Sequence, residues 1–179
     1  MTLVCGNRSL SGGKTMDKYQ QSQKNKIFKE GTHDPYRMDR VGGAALCPQC
    51  GSLYQDGNWT WHIPESTIVG DAEETVCPAC RRIADDRPAG TLKLSGKFLH
   101  DHQEEILNLI HHTEEVEKAE HAQERIIKVV EVDDALEVTT TGIHLASRIG
   151  HALNAAYKGN SHYHYSDDET HLTVNWERL

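Results

Sequence analysis

Two Cys-x-x-Cys pairs, Cys47-Pro-Gln-Cys50 and Cys77-Pro-Ala-Cys80, stand 26 residues apart. A turn of this kind brings two thiolates onto one metal ion. A second such turn completes a tetrahedral four-sulfur shell, the donor set of a structural Zn²⁺. Gly51 follows the first pair and tolerates the positive φ with which the chain leaves a ligand turn. The intervening loop is longer than the roughly 15 to 20 residues of many such sites, which a ribbon accommodates by lengthening its hairpin. Four thiolates leave no position open for water, so the donor set points to folding and not to catalysis. Cys47, Cys50, Cys77 and Cys80 are the expected ligands of one structural Zn²⁺.

Other uses of paired cysteines fit less well. A redox pair sits between a strand and a helix of a thioredoxin-like unit, whereas both pairs here are flanked by polar, turn-forming residues. Structural disulfides need an oxidising compartment, and the opening MTLVCGNRSLSGGKT has no apolar export segment. A reducing cytoplasm is therefore expected. Met16 is a second sensible start, which would remove residues 1–15 and Cys5. No apolar run approaches about 18 residues, so no membrane span is expected.

The net charge of −8 is unevenly spread. Residues 1–40 hold eight Lys/Arg against four acids, a balance of +4, and the remainder carries −12. Polar and without apolar periodicity, residues 1–40 read as a disordered basic arm suited to phosphate. Tyr36 in His33-Asp34-Pro35-Tyr36 is its expected anchor on the ribbon, which spans 41–88. Gly13-Lys14-Thr15 resembles the end of a phosphate loop, but Arg8 stands where the first glycine must be, so no nucleotide cofactor is expected. Within the zinc loop, Asp56-Gly57 is a turn signal and Trp59 and Trp61 alternate on one strand face. The two tryptophans serve either as the ribbon's core or as a surface on which bases stack. Arg81 and Arg82 follow the second pair in the one basic cluster of the acidic body, with Arg87 nearby.

From residue 89 the pattern becomes regular. A strand is predicted at 91–94, and a helix over 98–119 with Ile106, Leu109, Ile110 and Val116 as its apolar stripe. A β-hairpin follows over 125–140 through Asp133-Asp134. A helix over 142–157 comes next, N-capped by Thr141 and stopped by Gly159, and a last hairpin runs over 161–176. This order predicts an α+β class: a split β-α-β, ferredoxin-like two-layer sandwich over 89–179, with one extra strand and two helices on one face of an antiparallel sheet.

Twelve histidines invite a second metal site. His162 and His164 share a strand face and His171 could join them, a weaker reading that would make the chain a metalloenzyme. His144, Arg148 and His151 share a polar helix face with phosphate-binding character, and Arg148 is the candidate contact there. No Ser-His-Asp set, carboxylate pair or phosphate loop is evident, so the chain reads as a non-enzyme.

The Cys-x-x-Cys-Gly and Cys-x-x-Cys elements, followed by Val-Asp-Asp-Ala-Leu-Glu-Val-Thr-Thr-Thr-Gly-Ile-His-Leu-Ala-Ser-Arg-Ile-Gly (132–150), resemble the archaeal and eukaryotic adaptor of the large ribosomal subunit, nonsense-mediated decay factor three. With Asp-Pro-Tyr and Trp-x-Trp, residues 33–178 are also similar to a small bacterial family of uncharacterised proteins related to that adaptor. The resemblance implies zinc ligation by the four cysteines and a ribosome or structured RNA as partner. Against the adaptor, this chain carries fewer cysteine pairs and lacks the further C-terminal domains. The competing reading is a zinc-stabilised protein-interaction or stress-regulatory module without RNA.

Overall fold

A computed structural model describes Pro35–Tyr36 and residues 43–64 and 72–179. The basic arm expected over 1–40 lies outside the described residues, except for Pro35 and Tyr36. Residues 32–179 form one compact unit, with a mixed α+β content of two sheets and four helices among the described residues.

The first sheet is small. β1 (Ala45–Leu46), β2 (Leu53–Gln55), β3 (Asn58–Thr60) and β4 (Glu73–Glu74) lie in the order β3-β2-β1-β4, with β4 parallel to β1. The β2–β3 hairpin turns at Asp56 and Gly57, both at positive φ, as the Asp-Gly signal requires. Helix α1 (Pro78–Asp85) follows, with Cys77 as N-cap and Pro78 in its first turn, where a missing N–H costs nothing. Leu53 and Tyr54 of β2 are buried.

The second sheet is built from β5 (Gly90–Ser95), β6 (Ile126–Val132), β7 (Ala135–Thr140), β8 (Asn160–Tyr165) and β9 (Leu172–Glu177), in the order β6-β7-β5-β9-β8. Alternation sends Leu92, Leu94, Leu136, Val138, Leu172, Val174 and Trp176 inward. Lys93, Asn175, His162 and His164 remain exposed on the other face. The inner face meets α3 (Gln103–Glu120) and α4 (Ile143–Tyr157), whose Ile106, Ile110, Leu145, Ile149 and Leu153 complete one core. Gly90 lets β5 press against α4, since a Cβ there would come within 2.5 Å of that of Ala146.

Three expectations are corrected. The sheet is mixed and not antiparallel, because β9 pairs in parallel with β5 and displaces β8 to the edge. The physical reason is apolarity. Leu172, Val174 and Trp176 suit a central strand, whereas β8 is Asn-Ser-His-Tyr-His-Tyr and tolerates an edge. The first long helix is broken: α2 (Lys97–Asp101) precedes α3, and His102 at φ −132° separates them. Val116 is half exposed, at 51%, and lies off the buried stripe, because the buried face of α3 runs from Ile106 and Ile110 to Glu117, one position on.

Candidate metal centre and the adjoining cleft

The four cysteines converge. The Sγ atoms of Cys47, Cys50, Cys77 and Cys80 all lie within 4.8 Å of one another. Three of the residues are buried and Cys50 is half-buried. Cys50 Sγ and Cys77 Sγ are 3.7 Å apart, close to the edge of about 3.8 Å of a sulfur tetrahedron with Zn–S bonds near 2.3 Å. That separation is far beyond a disulfide's roughly 2.05 Å, and all four thiols are free. The backbone is organised around the sulfurs. Cys77 N donates to Cys47 Sγ (3.3 Å), and Cys80 N to Cys77 Sγ (3.4 Å). Gly51 N donates to Cys47 O at 2.8 Å, and the φ of 76° at Gly51 turns the following residue back so that Ser52 O accepts from Cys47 N at 2.9 Å. These residues fit a metal ion, with zinc the one their donor set favours.

The residue that sequence reading missed is Arg125. It stands 45 residues beyond Cys80, just before β6, and is only 8% exposed. Its Nη1 donates to Cys80 Sγ at 3.3 Å, and its Nη2 to Cys50 Sγ at 3.2 Å. Cys77 Sγ is 3.8 Å from the same Nη2. Nε is held on Ala122 O at 2.9 Å, and the guanidinium lies 5.2 Å from the Trp61 ring centre. A planar fork with five donors suits several sulfurs at once, as a lysine would not.

Electrostatics separate the thiols. Burial raises Cys50, but hydrogen bonds from Ser52 and Arg125 outweigh it and bring the thiol down to about 6. Burial pushes Cys80 up to about 12, with Cys77 adding to the rise and Arg125 opposing it. One guanidinium cannot balance the charge of four sulfurs ionised together; a divalent cation bound among them would supply the missing positive charge.

The other expected contact residues are placed as follows. Trp59 is half-buried, packs against the cysteine cluster and lies 5.4 Å from the Tyr54 ring. Trp61 sits past the end of β3, and its Nε1 donates to Lys118 O on α3 at 2.6 Å. Arg81 Nη2 donates to Tyr36 O at 2.9 Å, and buried Arg82 stacks over the Tyr36 ring at 4.5 Å. Tyr36 Oη completes that docking by donating to Asp85 at 2.9 Å. Arg148 keeps 67% of its side chain exposed and pairs through Nε with Glu117 at 2.9 Å. His171 is turned to Thr91 Oγ1 and Pro88 O. Among the described residues His162, His164 and His171 do not bring their nitrogens together; the cysteines alone form a metal-ligand group.

Between the ribbon and the sandwich lies a cleft of about 530 Å³. Asn58 and Trp59 form one wall; the end of α3, the following loop to Glu124 and the first turns of α4 form the other. Glu124 is 8% exposed, and its Oε2 accepts from Leu145 N at 2.9 Å. The expected cap of α4, Thr141, is instead occupied with Gln123 O and Arg125 N, and Gly142 at the N-cap brings no side chain. Glu124 supplies the capping oxygen from another element. Burial raises its carboxyl; the Leu145 N–H and the neighbouring His144 and His121 work against that rise, and Glu117 adds to it.

No family model, curated protein or solved structure matches the chain. No helix among the described residues is long and apolar enough to cross a membrane.

Proposed function

We propose that the chain is a non-catalytic zinc protein of the cytoplasm that associates with the ribosome or with structured RNA. One observation carries the zinc half of this reading: four clustered thiols converge beneath a guanidinium that belongs to the other layer of the molecule. Four sulfur ligands would fill the shell of the ion and leave no place for a substrate. The ion's work would be to fold the thin ribbon and hold it, through Arg125, on the sandwich. We read that sandwich as a ferredoxin-like arrangement elaborated by β9.

RNA association is supported by the +4 balance of residues 1–40 and by the resemblance to the large-subunit adaptor. The body's −12 opposes broad affinity for phosphate, so contact would be local. The interaction-module reading draws on a specific observation: Arg81, Arg82 and Trp61 are already engaged within the fold. Co-sedimentation of the zinc-loaded full chain with ribosomes tests the choice. The expected result is binding at low salt that is lost as salt rises and weakened by Lys24→Glu with Lys26→Glu. Free migration at every salt concentration would overturn RNA association, and capture of a single protein without rRNA would favour the interaction module.

A further inference from the structure

We infer that the cleft between ribbon and sandwich is a guanine-nucleotide site, with Glu124 receiving the base and Arg148 the phosphate. The inference rests on the cleft's geometry and stands apart from ribosome association. A volume of about 530 Å³ is within the range of small-molecule sites. Its walls join an indole, Trp59, to groups of both charge signs. Trp59 offers a flat apolar surface, and any base stacks on such a surface.

Glu124 selects among bases. Only one of its oxygens is engaged, on Leu145 N; Oε1 accepts no hydrogen bond among the described residues. An ionised carboxylate accepts only. The Watson–Crick edge of guanine presents two adjacent N–H donors, N1–H and N2–H, for Oε1 and for the second lone pair of Oε2, which Leu145 N leaves free. Adenine sets an acceptor beside its single donor and would leave a lone pair facing the carboxylate. At the other end, Arg148 gives Nε to Glu117 and keeps its exposed terminal nitrogens for an anion, beside His144 on the same helix. A divalent cation is not the favoured occupant, because the carboxylate and imidazole atoms here do not converge as the four sulfurs do. No phosphate loop is involved: the base is read, and a single phosphate suffices.

The test is calorimetric titration of the zinc-loaded full chain with GMP, guanosine, AMP and a short single-stranded G-containing RNA. GMP is expected to bind at least about tenfold more tightly than AMP, the discrimination that one charged hydrogen-bonding pair supplies. Glu124→Gln retains an oxygen for Leu145 N, and is expected to abolish the preference for GMP with the circular dichroism unchanged. Arg148→Gln, at an exposed position, is expected to weaken GMP several-fold while leaving guanosine unaltered. RNA binding that exceeds GMP would identify an RNA base as the source of the ligand, and equal binding a free nucleotide. AMP binding as tightly as GMP, or no saturation by any nucleotide at millimolar concentration, would overturn the inference. Either result leaves the sedimentation experiment to decide ribosome association by itself.

Discussion

At the scale of single residues, Arg125 matters most to the metal centre. It is buried, lies within hydrogen-bonding reach of two sulfurs, and comes from the opposite layer. Outer partners of this kind orient ligands and offset the charge of a thiolate shell. Arg125→Lys keeps a charge but loses the fork, so one ammonium cannot span Cys50 and Cys80 while also holding Ala122 O. Zinc affinity is expected to fall by about 10- to 100-fold, the range found for lost outer-shell bonds. Competition with a chromophoric chelator measures it, and unchanged affinity would reduce Arg125 to a packing residue. The cysteines were legible from spacing because two x-x turns impose short local geometry. Arg125 was not, because a basic residue opening an apolar strand (Arg125-Ile126-Ile127) carries no mark of what it will face.

At the scale of elements, α4 depends on a cap it does not itself supply. Glu124 reaches its first turn from the loop that joins α3 to β6, and Gly142 leaves room for the carboxylate, which lies where a Cβ would stand. The carboxyl is raised by burial, with Glu117, His121 and His144 as its charged neighbours. A carboxyl whose folded pKa lies above its unfolded value, near 4.5, favours the folded state most below the unfolded value, and that advantage is lost as pH rises through the folded one. Glu124→Gln is neutral throughout. Its stability relative to the parent is therefore expected to be higher at pH 8 and to lose that advantage as pH falls towards 5. Urea unfolding of both proteins at several pH values, with zinc saturating, provides the comparison; a constant difference would show that the carboxylate is not penalised by burial. Thr141 was the expected cap because Ser and Thr take that role locally. The tertiary fold gave its hydroxyl to Gln123 O instead.

At the scale of the whole molecule, the two layers differ in what holds them. The sandwich has a continuous core of fourteen buried residues that includes Trp176. The ribbon's cluster is little more than its four cysteines with Ala79, Trp59 and Val76, too small to pay for ordering the chain without a metal. Chelation is expected to strip hydrogen-exchange protection from 43–60 and 73–86 while β5 to β9 stay protected. Loss of both together would mean that Arg125, Trp61 and the Gln123 bond to Ala79 N carry the ribbon's stability into the sandwich. What could be read along the chain was local: ligand turns, alternation in β5 and β9, the hairpin at Asp133-Asp134, the apolar stripe of α4. Each follows from residues within a few positions of one another, whose periodicity or turn chemistry is complete in itself. The place of β9 between β5 and the edge strand β8, the guanidinium over the sulfurs and the cleft between Trp59 and Glu124 follow from contacts between residues 45 to 82 apart. Those depend on which apolar face is buried deepest and which polar group is left to satisfy another, and only the folded chain settles that competition.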